Sequence, residues 1–173
     1  MRQHLNPGGV VSLFVQLYES DEAAVKSEIA TFFDVFPSAT VWSNNVSGDG
    51  YDLVLLGKNQ APMINVDDLQ ERLNRADHAT VVESLREAGF RSAVELLASY
   101  IGRAAGLEPW LRDAQINRDR NLRLQYLAGT GLNSPEQQII YRNILKYRQF
   151  PEGLFVGTTT RVQALRSILQ PQR

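Results

Sequence analysis

The chain contains 173 residues and no cysteine, and its formal net charge is −1 at pH 7. This length fits one domain, or one compact domain with an appendage, and the absence of cysteine excludes disulfides and thiolate metal sites. The balanced charge gives a nucleic-acid partner no global electrostatic support. No apolar run approaches the roughly 20 residues of a membrane helix, and the N-terminus lacks the apolar core of a signal peptide. We therefore expect a cytoplasmic protein without nucleic-acid or membrane partners.

The first third of the chain predicts a strand followed by a helix. Residues 10–17 are rich in valine and phenylalanine, which favour extended structure. Ser20 or Asp21 can then cap a helix by accepting hydrogen bonds from its first free amides. The apolar face of this helix is predicted from residues spaced three, four and seven positions apart, namely Val25, Ile29, Phe32 and Phe33.

A β-hairpin is predicted over residues 39–57. Glycines at positions 48 and 50 allow the positive φ angles that a hairpin turn requires. The returning segment ends in an unbroken apolar run at residues 53–56, which is typical of a strand covered on both faces.

Helices are predicted to dominate after Pro62. Asp67 or Asp68 is expected to start one helix, and Ser92 begins a capping-box pattern whose helix would stop at Gly102. Residues 122–126 alternate as expected for an extended segment. The predicted fold class is therefore α/β: a strand-helix-strand-strand unit of three strands over residues 1–60, followed by a mainly helical extension over residues 61–173 packed on it. A sheet this small exposes an edge that invites pairing, so a homodimer is expected.

Four sequence motifs resemble the C-terminal part of the spermidine synthase-like (polyamine aminopropyltransferase-like) bacterial proteins. In chain order they are NPGGVV from Asn6, LYES from Leu17, GYDLVLLG from Gly50 and NLRLQYLAG from Asn121. The similarity extends over residues 5–156 and is greatest to bacterial fusions in which such a domain follows membrane helices.

The resemblance implies a partial Rossmann-like fold, the C-terminal half of a class I methyltransferase-like sheet. Residues 10–17 would correspond to the fifth strand of that sheet, residues 20–33 to the next helix and residues 39–57 to the final antiparallel pair. The family's glycine-rich nucleotide loop, ribose-binding acid and catalytic aspartate belong to earlier strands, which would precede Pro7. The resemblance therefore implies no cofactor for this piece and names the N-terminal half of the same family as a possible partner.

Two departures from the family pattern bear on polyamine binding. Polyamine synthases tend to carry a glutamine near the end of the fifth strand, whereas Leu13 and Phe14 lie near that point here and Gln16 is displaced. The late acidic pair of the family is replaced by a segment in which Arg118 and Arg120 flank Asp119, and arginine would repel a cationic amine.

The candidate substrate-binding residues are polar or aromatic side chains near the hairpin and the late motif: Gln16, Trp42, Asp49, Tyr51 and Asp119. Asp49 and Asp52 flank the hairpin tip and could bind a cation or amine together with Asp119; the alternative for Asp49 is a turn residue bonded to its own backbone. Trp42 could stack on a ligand or pack in the core.

Anion binding is a second candidate activity. Arg118, Arg120 and Arg123, preceded by Arg112, could grip a phosphate, or they could form surface ion pairs with the neighbouring aspartates. The glycine turn at residues 129–131 could bind phosphate at the next helix or act as a capped turn. His4 and His78 are the only histidines and lack the spacing of metal ligands, so no metal site is predicted.

The preferred functional hypothesis is a dimer-forming structural piece of a spermidine synthase-like protein, without aminopropyl transfer of its own. One alternative is part of an aminopropyltransferase whose nucleotide-binding half is supplied elsewhere. Another is an unrelated hydrolase activity in a cleft between subunits.

Overall fold

The computed structural model describes residues 2–44, 50–127 and 136–170. The strands are β1 (Val10–Gln16), β2 (Thr40–Asn44), β3 (Asp52–Lys58), β4 (Ile64–Asn65), β5 (Tyr100–Arg103) and β6 (Phe155–Val156). The α-helices are α1 (Glu22–Val35), α2 (Val66–Asn74), α3 (Ala79–Glu87), α4 (Ala93–Leu97), α5 (Ala104–Leu111), α6 (Arg123–Leu127), α7 (Gln137–Leu145) and α8 (Thr159–Leu169). The predicted α/β class is confirmed.

The chain divides into two compact units. The first consists of Met1–Pro62 and Tyr100–Arg148, and it contains β1, β2, β3, β5, α1 and α5 to α7. The second consists of Met63–Ser99 and Gln149–Arg173, and it contains the remaining strands and helices.

The first unit is built on a four-stranded antiparallel sheet with the strand order β1-β3-β2-β5. Because β1 and β2 are both antiparallel to β3, they run in the same direction, and α1 connects them. This arrangement is a split βαβ unit, with β3 in the gap between the two parallel strands. The three strands predicted over residues 1–60 are present as β1, β2 and β3. The sheet has a fourth strand that was not predicted, β5, in residues that the sequence assigned to the end of a helix stopping at Gly102.

Helix α1 covers one face of this sheet. Asp21 caps the helix, as predicted, by accepting a 2.7 Å hydrogen bond from the Ala24 amide. All four apolar residues predicted on the helix face are buried. On β3, Leu53 and Leu55 are buried whereas Val54 and Leu56 are only half-buried. The expected burial of residues 53–56 on both faces was therefore wrong, since only the face toward α1 is fully covered.

The second unit is held together by a short parallel strand pair, β4 with β6, and by hydrogen bonds between the start of α2 and the start of α8. Asn65 caps α2 through bonds from the Asp67 and Asp68 amides, so neither aspartate is the cap that the sequence predicted. The Asp67 carboxylate instead accepts hydrogen bonds from the Thr158 amide and hydroxyl and from the Arg161 guanidinium at the start of α8. These donors hold the pKa of Asp67 below its ordinary value, the Thr158 amide contributing most.

The later segments contain one further correction. Residues 122–126 were expected to be extended, but residues 123–127 form α6. The predicted helix start at Ser134 and the glycine turn at 129–131 lie outside the described residues. Over the ranges that are described, no helix has both the length and the apolar character needed to cross a membrane.

The contact between β3 and α1 makes a test of the core packing possible. A Cβ atom at Gly57 would lie 2.7 Å from Phe36 Cγ and 2.9 Å from Phe32 Cζ, whereas one at Gly106 would meet nothing closer than the Tyr147 carbonyl oxygen at 3.9 Å. We expect Gly57→Ala to lower the free energy of unfolding by about 1–3 kcal/mol because the two rings must move. Gly106→Ala, within α5, should raise it by about 0.5–1 kcal/mol through helix propensity. Urea unfolding measures both, and equal effects of the two substitutions would contradict the packing described.

Candidate functional site

Polar side chains gather where β1 and β2 end and β3 begins. Asp52, the first residue of β3, pairs with Gln16 at the end of β1 and with Asn44 at the end of β2. Residues directly opposite in a sheet project to the same face, so these three side chains share the face away from the Leu53 side. The Asn44 amide nitrogen donates to Asp52 at 3.3 Å. The carboxyl ends of the two parallel strands thus flank one carboxylate.

Asp52 is buried, with 4% of its surface exposed. Loss of water around the carboxylate raises its pKa above the ordinary value, and the hydrogen bond from Asn44 opposes that rise. No cation pairs with Asp52 among the ion pairs of the described residues. Among the described residues the side-chain partner of this buried acid is the Asn44 amide, and a buried acid without a paired cation is the kind of group that binds a donor or exchanges a proton.

Two tyrosines adjoin this carboxylate. The rings of Tyr18 and Tyr51 stack with centroids 4.6 Å apart and planes 28° from parallel. The Leu17 amide donates to the Tyr51 carbonyl oxygen at 3.3 Å, which ties the segment after β1 to the start of β3. Loss of water raises the pKa of Tyr18, and Tyr51 and the Asp52 charge raise it further. The Tyr18 phenol therefore remains protonated near neutral pH and is available as a hydrogen-bond donor and acceptor.

The structure brings together some of the predicted substrate-binding residues. Gln16 and Tyr51 lie in this cluster, and the Gln16 amide donates to the Tyr18 carbonyl oxygen at 3.2 Å. Trp42 is on the same sheet face, but its ring packs edge-on against Tyr100, with centroids 5.5 Å apart, and its Nε1 donates to the Thr40 hydroxyl. Asp49 lies outside the described residues.

Asp119 belongs to a different part of the first unit, the exposed segment between α5 and α6. Among the described residues, no hydrogen bond or ion pair joins Asp119 to the hairpin. Sequence reasoning missed Tyr18 and Asn44, because their roles depend on strand pairing that no local motif encodes.

The predicted anion-binding arginines do not converge on one point. Arg118 forms an ion pair with Asp34 of α1 at 3.2 Å, and Arg120 is exposed. Arg123 begins α6, where its side chain is half-buried. Asn121 accepts from the backbone amides of Arg118 and Arg123, which fixes the loop locally. Arg118 therefore forms a surface ion pair, but with Asp34 of α1 and not with one of the neighbouring aspartates that the alternative named.

A cleft of about 490 Å³ lies beside the start of α1 and was not predicted as a site. At its centre Glu22 accepts hydrogen bonds from Trp110 Nε1 at 2.7 Å and from the Asn143 amide at 3.2 Å. Lys26 donates to both oxygens of Asp113, at 2.9 and 3.2 Å, and lies 5.5 Å from the centre of the Trp110 ring. These polar groups satisfy one another, so the network holds the helices of the first unit together. The sequence signal that could have indicated it was the Glu22–Lys26 spacing at the start of a helix.

The surroundings of the two histidines and of the acidic residues bear on metal binding. In the part of the chain that the structure describes, no group of three histidine, cysteine or acidic residues could hold a metal ion. His78 Nδ1 lies 2.7 Å from the Arg72 carbonyl oxygen, and His4 is exposed.

Comparisons of the chain with protein-family models, with curated proteins and with solved structures gave no match. The geometry of the polar cluster and of the sheet therefore carries the functional argument, together with the sequence motifs.

The burial of Asp52 makes its ionisation a test of the cluster. Because the pKa is raised on folding, the native chain holds a proton that the unfolded chain has released. The free energy of unfolding should therefore fall as the pH rises from about 4, the ordinary aspartate value, through the raised native value. Asp52→Asn cannot ionise and should remove that part of the fall, which urea unfolding across this pH range would measure. Asp119→Asn, at an exposed position, is the matched control, and identical profiles for the two variants would contradict the burial of Asp52.

Proposed function

We propose that this chain is the C-terminal, dimer-forming part of a spermidine synthase-like protein and that it performs no aminopropyl transfer by itself. In this proposal the first unit is a partial Rossmann-like sheet, and β1 is the strand through which it assembles. The single observation that carries the proposal is the open edge of β1.

The order and direction of the elements support the ancestry. The resemblance assigns residues 10–17, 20–33 and 39–57 to a fifth strand, a helix and a final antiparallel pair. The corresponding elements here are β1, α1 and the β2–β3 pair, in that chain order. The parallel direction of β1 and β2, joined through a helix, is also the direction that a strand-helix-strand repeat of a Rossmann-like sheet requires.

The edge formed by β1 is long, regular and apolar. In the described sheet β1 pairs only with β3, over seven consecutive residues without a register shift. Val10 and Phe14 are each 52% exposed and Leu13 is 40% exposed. The strand contains no proline and no charged residue. Such an edge is a template for pairing with another strand, and native proteins usually block it.

The opposite edge of the same sheet provides an internal comparison. There β5 has four residues, its pairing with β2 shifts register between Val41 and Trp42, and Arg103 closes the strand. Shortness, an irregularity and a charge are the devices that prevent edge-to-edge pairing. One edge of this sheet is therefore protected and the other is open, which supports β1 as the assembly strand.

A second copy of the chain is the occupant that we propose for the β1 edge. Two copies related by a twofold axis present the same strand to each other in antiparallel directions, which permits a continuous ladder across the interface. Pairing would also bring the exposed Val10 and Phe14 side chains of the two copies close together, and this would remove apolar surface from water.

The polar cluster favours one alternative, a part of an aminopropyltransferase that lacks its nucleotide-binding half. Ligands of Rossmann-like sheets bind beyond the carboxyl ends of parallel strands, and that is where Gln16, Asn44 and Asp52 meet. A carboxylate with two neighbouring phenols could accept hydrogen bonds from an amine. In this alternative the β1 edge would receive a strand of the missing half instead of a second copy.

The dimer proposal predicts the mass of the protein in solution. Sedimentation equilibrium should give twice the chain mass of 19.4 kDa. Phe14→Lys should give the monomer, because it places a charge on the apolar edge while changing only an exposed side chain. Ile139→Lys, at a 50% exposed position on α7, is the matched control and should remain dimeric. A monomeric wild-type chain, or a dimeric Phe14→Lys variant, would refute the assembly.

The absence of autonomous transfer activity predicts the outcome of ligand titration. Calorimetric titration with decarboxylated S-adenosylmethionine and with its thioether product should give no saturable heat, because the family's nucleotide-binding elements would correspond to strands before Pro7. Saturable nucleotide binding would overturn the proposal. Saturable heat from spermidine alone that Asp52→Asn abolishes and Asp119→Asn preserves would favour the aminopropyltransferase alternative instead.

A further inference from the structure

A surface groove with a mixed lining of apolar and polar side chains, the latter including Gln70, Asn74 and Ser92, lies in the second unit between α2, α3 and the start of α4. We call it the α2–α3 groove. It has a volume of about 450 Å³. Its apolar lining residues are Leu73, Ala76, Ala79, Val82, Leu85 and Phe90.

The apolar side of α3 lacks the cover that amphipathic helices normally have. No residue of α3 is buried, and Val82 and Leu85, three positions apart on one helix face, are only half-buried. Leu73 on α2 and Phe90 after α3 are also half-buried. A helix with a distinct apolar face usually buries that face against another element. Within the described residues, the α2–α3 groove is therefore an apolar strip that remains accessible to a partner.

The charged residues that line the groove are basic, and acidic side chains lie beside it, including Glu95, which accepts a 2.6 Å hydrogen bond from the Arg91 amide. Arg75, Arg86 and Arg91 line the groove, and no acidic residue does. Arg75 forms an ion pair with Asp77, whereas Arg86 and Arg91 form none with any described residue. The acidic residues of α3, Glu83 and Glu87, lie outside the lining. The groove therefore combines apolar contacts with two arginines that are available to a carboxylate.

We propose that the α2–α3 groove is a docking site for an acidic amphipathic helix of a partner protein. Apolar side chains three or four positions apart on the partner helix would fill the groove, as in other helix-in-groove complexes. Glutamate or aspartate side chains beside them would meet Arg86 and Arg91. The site is independent of the β1 edge, which belongs to the first unit.

Two other occupants fit the observations less well. A free lipid tail would remain exposed along one side, because no apolar residue of the lining is buried. The chain's own segments outside the described residues contain a single acidic side chain, Asp49. A partner helix with several carboxylates matches the arginines better than either.

Two synthetic peptides of about 16 residues, a length that permits helix formation on binding, provide the test. Both carry leucines at the same helical positions i, i+3, i+4 and i+7; one has glutamate at the polar positions and the other has lysine. Fluorescence anisotropy of the labelled peptides with the full chain measures binding. We expect saturable binding of the glutamate peptide and at least tenfold weaker binding of the lysine peptide.

A pair of double variants localises the interaction. Arg86→Glu with Arg91→Glu should weaken the glutamate peptide at least tenfold and strengthen the lysine peptide. Arg120→Glu with Arg142→Glu makes the same charge change at exposed positions outside the groove and should leave both affinities unchanged. Val82→Ser is a further variant, which changes an apolar residue of the groove lining. Circular dichroism melts of the wild-type chain, the two double variants and Val82→Ser establish that loss of binding is not loss of fold.

Several results would overturn the proposal. They are the absence of glutamate-peptide binding at millimolar peptide, equal binding of the two peptides, and equal behaviour of the two double variants. Displacement of the bound glutamate peptide by dodecanoate at stoichiometric amounts would assign the groove to a lipid anion. A change in the mass of the peptide-free chain on Arg86→Glu with Arg91→Glu would assign it to a second copy.

Discussion

The first unit depends on β3, because this strand supplies backbone hydrogen-bonding partners to both of its neighbours. All seven of its residues pair with β1, and five pair with β2. Since β1 and β2 run in the same direction, they could otherwise meet only as a parallel pair connected through α1. The inserted strand lets every neighbouring pair in this sheet be antiparallel while α1 still crosses from β1 to β2. It also contains Gly57, whose lack of a side chain lets Phe32 of α1 and Phe36, the residue after α1, pack against the sheet.

The extent to which the fold could be predicted follows from how local each signal is. Helix α1 could be predicted because its two candidate caps, Ser20 and Asp21, and its apolar spacing lie within a few residues of each other. By contrast, β5 was missed because Gly102 after a capping-box helix is also the normal pattern of a helix end. The structure uses that glycine differently: a Cβ there would lie 2.7 Å from Leu107 Cγ, so the missing side chain lets α5 pack against the strand. Contacts of this kind depend on residues that only the tertiary structure brings together.

The candidate site could be predicted only in part, for the same reason. Gln16 and Tyr51 were identified from their positions in a strand and a hairpin, and Asp52 as a residue at the hairpin tip. The burial of Asp52 and its hydrogen bond from Asn44 depend on strand register, because a shift of one residue would turn its side chain to the opposite face. The predicted arginine site rested on composition alone, and Arg118 proved to pair with Asp34 on a helix more than eighty positions away.

The polar cluster and the open edge share β1, and this links the two main functional hypotheses. Gln16 is the last residue of β1 and pairs with Asp52 across the ladder, so a strand added to the free edge of β1 would run directly past the cluster. Ligand crevices of open α/β sheets form beyond the carboxyl ends of the strands, at a point where the strand order reverses, and β1 has a described neighbour on one side only. Whatever pairs with β1 therefore also determines which groups face Gln16 and the two tyrosines. In an antiparallel dimer, the N-terminal end of the second copy's β1 would lie beside the cluster, whereas a strand from a nucleotide-binding half would complete a ligand crevice. In the proposed assembly, pairing at this edge is thus the step on which any ligand chemistry of the first unit would depend.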